Sequence, residues 1–131
     1  PTFARGREKR TPDVVVIDPV AGVHIVEVKG HDLSAVTELR AGGKMWLDYG
    51  GRPKEADPVA QARRAMFAVQ NGMGEFSAAK PTLAFEAWAV FPNISREDWV
   101  KKWGAGTYEP DYLLFAEDLE PGALADRMRA V

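Results

Sequence analysis

The segment TPDVVVIDPVAGVHIVEVKG, residues 11–30, is the feature of this chain that most restricts its fold. It contains two short runs rich in β-branched residues, DVVVID and VHIVEVK, which proline and glycine residues separate and flank. Runs of this kind predict two β-strands joined as a hairpin. The hairpin carries charges at one end, because Asp13 begins the first strand while Glu27 and Lys29 end the second.

The alternation of side chains along each strand predicts which of these charges share a face. With a loop from Asp18 to Gly22, the two strands pair residue by residue back from the turn. The pairs on one face are then Ile17 with Val23, Val15 with Ile25, and Asp13 with Glu27. Lys29 follows one pleat further along the same face. The register is an assumption, since a slip of one residue would move Asp13 to the opposite face.

In this register the side chains of Asp13 and Glu27 lie opposite each other, with Cβ atoms roughly 5 Å apart. Like charges so arranged destabilise a sheet unless a positive charge offsets them. Lys29 is one source of that charge. A divalent cation such as Mg²⁺ is another, because it prefers oxygen ligands and is often held by one or two carboxylates. The alternative is an exposed strand end with an ordinary ion pair, worth ~0–1 kcal/mol.

The rest of the chain continues with further strands and helices. We predict strands at residues 44–50, 83–91 and 112–117, a loop at 50–57, and helices at 57–72, 95–103 and 122–130. Asp57 is placed to cap the first helix and Gly72 to end it. Ser95 and Asp98 have the spacing of a capping box at the start of the second. This order of elements predicts an α/β fold with a mixed sheet.

Length and composition limit the class of protein. The 131 residues suit one domain, 1–131. The net charge of −2 does not by itself indicate a nucleic-acid partner, although it does not exclude a local basic site. The chain has no cysteine, which excludes disulfides and thiolate metal sites and fits a reducing compartment. No apolar run approaches the ~18 residues of a membrane span, so we expect no membrane association.

Four short motifs occur in an order that resembles a known family: PDVVVIDPVAGVHIVEVKG, DPVAQARRAM, AWAVFPNISREDW and PDYLLFAEDL. Together they resemble the nuclease-related domain, NERD, of the PD-(D/E)XK superfamily of restriction-endonuclease-like nucleases. The likeness is strongest to versions at the N-terminus of bacterial helicase-like proteins, and it covers about Arg7 to Leu119. It implies a restriction-endonuclease-like core, in which helices flank a mixed central β-sheet.

The resemblance also implies roles for four residues. Asp13 matches the metal-binding aspartate of the family, and Glu27 matches its second acidic ligand. Lys29 matches the lysine that helps to position or activate the attacking water and stabilises charge during phosphodiester cleavage. Gln61 matches a glutamine that borders the active site, although without the resemblance it would be taken for a surface residue of its helix.

The implied activity is that of a hydrolase, a nuclease that cuts phosphodiester bonds in nucleic acid, here expected to be DNA. The implied cofactor is Mg²⁺ or Mn²⁺, which would assist attack by water. We expect the chain to be a fragment of a longer cytoplasmic polypeptide that also contains a helicase-like domain. The alternative is a nuclease-fold module with an incomplete site, which binds nucleic acid or a partner protein without cutting it.

One departure from the family favours that alternative. Members of this group usually have a helix before the hairpin that carries a further glutamate. Only about ten residues precede Thr11, they lack a helical pattern, and Glu8 lies too close to the strand to be a good substitute. The glutamate therefore either lies in a segment upstream or is missing from this variant.

Basic residues give a second indication of contact with nucleic acid. Arg7, Lys9 and Arg10 cluster near the start of the chain, and Arg63 and Arg64 share the predicted helix with Gln61. Side chains of this type contact phosphates. The alternative for both groups is a solvated charged surface.

Histidine and tryptophan residues are not assigned to the site. In the predicted register His24 lies on the face opposite Glu27, which favours packing over metal binding. His31 follows Lys29 closely enough to approach the site, but a loop position is the simpler expectation. Tryptophan side chains can stack on bases, yet in a chain of this size packing is expected for all four, namely Trp46, Trp88, Trp99 and Trp103.

Overall fold

The structure, a computed structural model, describes residues 12–40, 44–76, 84–104 and 112–130. Its strands are β1 (Val14–Asp18), β2 (Gly22–Val28), β3 (Val36–Leu39), β4 (Met45–Asp48), β5 (Pro53–Ala56), β6 (Phe85–Phe91) and β7 (Leu113–Phe115). Its helices are α1 (Pro58–Phe76), α2 (Arg96–Trp103) and α3 (Ala123–Arg129). In these ranges no helix combines the length and the apolar character that crossing a bilayer requires. The predicted α/β fold class is confirmed.

The hairpin belongs to a four-stranded mixed sheet with the strand order β1-β2-β6-β7. Strand β1 is antiparallel to β2, whereas β6 is parallel to both β2 and β7. In the hairpin, Val15 pairs with Ile25 and Ile17 with Val23. The predicted register is therefore the observed one over the length of β1.

The turn of the hairpin is formed by specific local interactions. The Asp18 carboxylate accepts hydrogen bonds from the backbone N–H groups of Val20 and Ala21, at 2.7 and 3.1 Å. Gly22 follows with a φ of +92°, and a Cβ there would lie 2.4 Å from the carbonyl oxygen of Ala84. This close approach lets the N–H of Val23 donate to the same oxygen, at 2.8 Å, where β2 and β6 begin to pair.

A second, three-stranded antiparallel sheet has the order β3-β4-β5. The predicted strand at 44–50 corresponds to β4, but β3 was not predicted, and the prediction of a loop at 50–57 is wrong for Pro53–Ala56. The residues of β5 are mostly exposed, so the strand lacks an alternating apolar pattern. It forms because its backbone pairs with β4, and residues 49–52 make the turn between them.

Two of the helix starts were predicted from their capping residues. Asp57 accepts a hydrogen bond from Ala60 N–H at 3.1 Å, and Ser95 accepts one from Asp98 N–H at 3.1 Å. The predicted end of α1 at Gly72 is wrong, since the helix continues to Phe76. Gly72 does not take the left-handed conformation that ends a helix at glycine, and a glycine inside a helix costs only ~1 kcal/mol.

Predicted strands and helices near the end of the chain are shortened at their boundaries. Strand β6 begins at Phe85, and the strand predicted at 112–117 ends at Phe115, where a 3₁₀ segment, Ala116–Leu119, follows. Arg96 connects that segment to α2, because its guanidinium lies 2.6 Å from Asp118 Oδ2. Helix α3 closes the described chain.

The two faces of the mixed sheet are covered by different elements. On one face Val23 and Ile25 pack against Ala65 of α1. On the other face Trp88 packs against Met128 of α3. The largest cluster joins the mixed sheet to the second sheet and α2, and its buried members are Val36, Met45, Leu47, Val59, Ala89, Phe91, Ile94, Trp99, Leu113 and Phe115.

Candidate active site

The face of β2 that packs against α1 changes from apolar to charged along the strand. Val23 and Ile25 are buried at 4% and 0% exposure, and Glu27, two residues on, is still only 6% exposed. Lys29 follows directly after the strand, but its backbone N–H still bonds to Val90 O at 2.9 Å, so it continues the ladder with β6. Two charged side chains are therefore carried into the interface between the sheet and α1.

Glu27 and Lys29 form a largely buried ion pair. The Lys29 Nζ and Glu27 Oε2 atoms are 3.7 Å apart, and their side chains are 12% and 8% exposed. Burying two charges costs several kcal/mol per ion, which their mutual attraction offsets only in favourable geometry. A hydrophobic pair would serve the fold at least as well. The pair is thus better explained by chemistry than by stability.

Asp13 lies just before β1, at the same end of the hairpin as these two charges. The ladder pairs Val14 with Val26 as its last step, and beyond it the carboxylate of Asp13 accepts a hydrogen bond from Val28 N–H at 2.9 Å. That N–H belongs to the peptide between Glu27 and Val28. Asp13 is exposed, in contrast to the buried Glu27.

A cavity of about 260 Å³ opens beside Lys29. Residues of α1, of the second sheet and of the loop after β2 surround it, namely Lys29, Tyr49, Lys54, Glu55, Ala56, Asp57, Gln61 and Arg64. The structure thus places Gln61 and Lys29 at one cavity. The cavity is far larger than the ~30 Å³ of one water molecule. A ligand group of modest size therefore fits in the cavity beside Lys29.

The acidic side chains of the hairpin suit a hard divalent cation in their chemistry. Asp13 and Glu27 offer carboxylate oxygens, which Mg²⁺ and Mn²⁺ prefer, and Mg²⁺ commonly binds one or two protein carboxylates while keeping several waters. Within the described ranges no group of three or more histidine, cysteine, aspartate or glutamate side chains is arranged to hold a metal. A cation held by these two carboxylates alone would have to take its remaining ligands from water and substrate.

His31, in the loop after Lys29, contacts Tyr49 at the end of β4. The His31 and Tyr49 rings pack nearly perpendicular to each other, with centroids 4.6 Å apart and an interplanar angle of 84°. Burial, and next the positive charge of Lys29, lower the pKa of His31 below its usual 6.5, although Asp32 and Asp48 act in the opposite direction. Among the residues that the structure describes, the buried His31 Nδ1 and Asp48 Oδ1 atoms have no hydrogen-bond partner.

Tyr49 and Lys54 are further residues at the cavity that sequence reasoning missed. They flank the turn of the β4–β5 hairpin, and the Lys54 ammonium lies 5.7 Å from the centre of the Tyr49 ring. The available signal was the run DYGGRP, in which a tyrosine precedes two glycines with left-handed φ angles of +65° and +86°. Such a turn presents its flanking side chains to solvent.

The basic residues that were predicted to contact nucleic acid do not lie together at the cavity in the described part of the chain. Arg64 lines the cavity, but Arg63 is directed to the ring of Tyr112, 5.7 Å from its centroid, and does not line the cavity. Arg7, Lys9 and Arg10 lie outside the described residues, as does Glu8.

The expectation that His24 and the tryptophans serve in packing agrees with their burial. Trp88 and Trp99 are buried, and Trp46 and Trp103 are partly buried. The Trp88 indole N–H donates to His24 Nδ1 at 2.7 Å, and His24 Nε2 lies 2.9 Å from the carbonyl oxygen of Ala21. These contacts require the neutral tautomer with the proton on Nε2. They also occupy both ring nitrogens on the α3 side of the sheet, away from Glu27.

Comparison with known proteins identifies the family of the chain. The family model for NERD, described as nuclease-related domain, matches residues 2–92, a segment that contains the hairpin, the second sheet, α1 and β6. No curated protein and no solved structure matches the chain. Because the matched segment is well over half of the 131 residues, the chain belongs to the NERD, or nuclease-related domain, family.

Proposed function

We propose that this chain is a metal-dependent nuclease domain that hydrolyses phosphodiester bonds in DNA. Its membership of the nuclease-related family supports a nuclease-related function. The single observation that carries the proposal further is the buried Lys29–Glu27 pair, 3.7 Å apart, whose lysine also lines a cavity that solvent can enter. A lysine beside a carboxylate can stabilise the negative charge that develops when a phosphodiester is attacked.

Asp13 and Glu27 would hold the cation, Mg²⁺ or Mn²⁺. When bound, such an ion polarises a phosphoryl oxygen and lowers the pKa of a coordinated water. The two carboxylates would also orient the site, since Asp13 is tied to the backbone of β2 through Val28 N–H and Glu27 is held beneath α1.

Lys29 would act on the phosphate and the attacking water. Lys29 lines the cavity. Its backbone is held by Val90, and the loop beyond it is held by Asn93, whose amide donates to Gly30 O at 2.9 Å. A preorganised positive charge in a partly water-excluded site stabilises negative charge that develops in the transition state. Gln61, at the same cavity, would orient the water or a phosphate oxygen through its amide.

The test is to incubate the chain with labelled single- and double-stranded DNA in Mn²⁺, Mg²⁺ or EDTA. We expect cutting in either metal and none in EDTA, and we expect Lys29→Ala to abolish it. The control is Lys101→Ala, which removes a lysine that is 72% exposed on α2 and pairs with Glu97. Cutting that continues in EDTA, or that survives in Lys29→Ala, would contradict the proposed mechanism.

A second candidate function is a nuclease-fold module that binds nucleic acid or a partner protein without cutting it. The observation that favours it is that the described residues contain no cluster of three or more possible metal ligands. It predicts DNA affinity that Lys29→Ala leaves unchanged and no metal-dependent cutting, either by this chain or by the longer polypeptide. The nuclease assay therefore separates the two candidates.

We further propose the setting of this activity from the family resemblance. The domain would be joined to a helicase-like domain in the same cytoplasmic polypeptide, which would deliver the DNA strand. Copurification of helicase and nuclease activity from the full-length polypeptide tests this. Separate activities on separate chains would contradict it.

A further inference from the structure

The turn between β4 and β5 presents an exposed aromatic ring at the mouth of the Lys29 cavity. Tyr49 is 42% exposed and lines that cavity. A large, exposed aromatic side chain at a polar cavity has no role in the core, and Tyr49 belongs to none of the hydrophobic clusters of the described residues. The exposed ring is therefore placed to stack on a planar group of a ligand.

The Tyr49 ring is held in place from several directions. His31 packs edge to face against it, with centroids 4.6 Å apart, and the Lys54 ammonium stands 5.7 Å from its centre. Its backbone N–H bonds to Arg52 O at 2.9 Å across the turn. An aromatic platform whose orientation is fixed in advance loses little conformational entropy when it stacks on a ligand.

Positive side chains accompany the ring around the cavity. Lys54 comes from β5, Arg64 from α1 and Lys29 from the end of β2. Of the two acidic side chains that line the same cavity, Asp57 is engaged as the cap of α1. The combination of a stacking ring with lysine and arginine side chains is typical of sites for single-stranded nucleic acid, where bases stack and phosphates meet cations.

We propose that Tyr49 and Lys54 form a subsite for an unpaired nucleotide next to the phosphate that Lys29 contacts. Tyr49 stacks on the base, and Lys54 contacts the phosphate that follows it. A base can meet the ring in this way only when it is free of its own duplex, so the substrate class is single-stranded or locally unpaired nucleic acid. This inference rests on the proposed nuclease function and specifies its substrate.

Binding in EDTA tests the subsite without any cutting. The probes are a fluorescein-labelled single-stranded DNA 12-mer, the same strand with abasic positions, its duplex, and the RNA strand of the same sequence. The variants are Tyr49→Leu, which removes the ring, and Tyr49→Phe, which keeps it. The matched control is Phe67→Leu, which removes an aromatic ring that is 55% exposed on α1 and does not line the cavity.

We expect Tyr49→Leu to weaken single-strand binding about 5- to 150-fold, equivalent to ~1–3 kcal/mol for one stacked base. Tyr49→Phe, which keeps the ring, should bind single-stranded DNA with wild-type affinity. Phe67→Leu should also bind with wild-type affinity. Abasic positions should weaken wild-type binding by a similar factor and should have little further effect on Tyr49→Leu. Unequal losses for DNA and RNA would show which strand the subsite prefers.

Lys54 has a separate readout. Removing one phosphate contact should reduce the slope of log affinity against log salt by ~0.7 for a single strand. We expect this change in Lys54→Gln and not in Lys101→Gln.

Two results would overturn the subsite. One is equal binding of intact and abasic single strands by wild type and Tyr49→Leu. The other is the absence of measurable binding of single-stranded DNA or RNA by the wild-type chain. The proposed function fails differently, through the absence of metal-dependent cutting that needs Lys29, and binding in EDTA does not depend on that result.

Discussion

At the scale of single residues, the hairpin shows which side-chain positions the alternation along a strand predicts and which it does not. The pairing of Val15 with Ile25 was predictable because period-two alternation and the Asp18–Gly22 turn both point to one register. The same logic placed Glu27 and Lys29 on one face, and the structure has them in contact. Asp13 lies beyond the last pair, where a backbone hydrogen bond, which no pattern encodes, decides the position of the carboxylate.

Gly22 is the residue whose replacement should most directly disturb this arrangement. An alanine there would place Cβ 2.4 Å from Ala84 O and adopt a φ of +92°. The backbone conformation alone costs about 1–2 kcal/mol for an L-residue, so we expect Gly22→Ala to lower the free energy of unfolding by at least ~2 kcal/mol. Urea denaturation measures this.

The control for Gly22 is Gly30→Ala, which meets no atom within 4 Å. We expect that variant to stay within ~1 kcal/mol of wild type. Equal effects of the two substitutions would show that the approach of β2 to Ala84 does not restrict residue 22.

His31 should make stability depend on pH. Burial and the neighbouring Lys29 lower its pKa in the folded chain below the ordinary 6.5, so the unfolded chain binds the proton more readily. Above pH 6.5 the contribution is constant, and as pH falls from 6.5 through the folded pKa the free energy of unfolding decreases.

Urea denaturation of wild type and His31→Phe at pH 7.5 and pH 5 tests this dependence. Wild type should lose more stability between the two values than the variant, which retains the other of the chain's two histidines. Parallel losses would contradict the assignment to His31.

At the scale of elements, capping residues predicted helix starts better than glycine predicted a helix end. Ser95 and Asp57 make the hydrogen bonds that their positions suggested, because a side-chain oxygen can accept only from nearby N–H groups. A glycine such as Gly72 can stand at the end of a helix or inside it, so its presence alone does not determine where α1 ends. Strand β5 was not predicted because its side chains are mostly exposed and lack an alternating apolar pattern. It forms through backbone pairing with β4, which its own sequence does not reveal.

The cap of α2 gives a prediction at this scale. Ser95→Ala removes the acceptor for Asp98 N–H and should lower the free energy of unfolding by ~1 kcal/mol, whereas Ser95→Gly should cost only a few tenths. Helix α2 carries Trp99 into the core, so fraying of this helix lowers the stability of the whole domain. Thermal unfolding of both variants measures the difference, and equal midpoints would contradict a side-chain cap.

At the scale of the whole molecule, the candidate site is assembled from elements that are distant in sequence. Lys29 follows β2, Tyr49 and Lys54 flank the β4–β5 turn, and Gln61 and Arg64 come from α1. The sequence indicated Lys29 directly, because it shares a strand with Glu27, and Gln61 through its motif. Tyr49 and Lys54 depend on how the second sheet meets α1, which local patterns do not specify.

Under the proposed function, Glu27 serves metal-dependent hydrolysis and not the fold alone. The most direct measurement is the rate of DNA cutting as a function of Mn²⁺ concentration for wild type, Glu27→Gln and the control Glu97→Gln. Glutamine keeps the shape of the buried side chain and removes its charge. Circular dichroism and urea midpoints establish that each variant is folded.

We predict that Glu27→Gln cuts about 100-fold more slowly or worse, the scale of losing one group that stabilises a transition state. Saturating Mn²⁺ should not restore its rate. Glu97→Gln, whose side chain is 77% exposed on α2, should match wild type. A folded Glu27→Gln variant that cuts DNA at the wild-type rate would contradict the account.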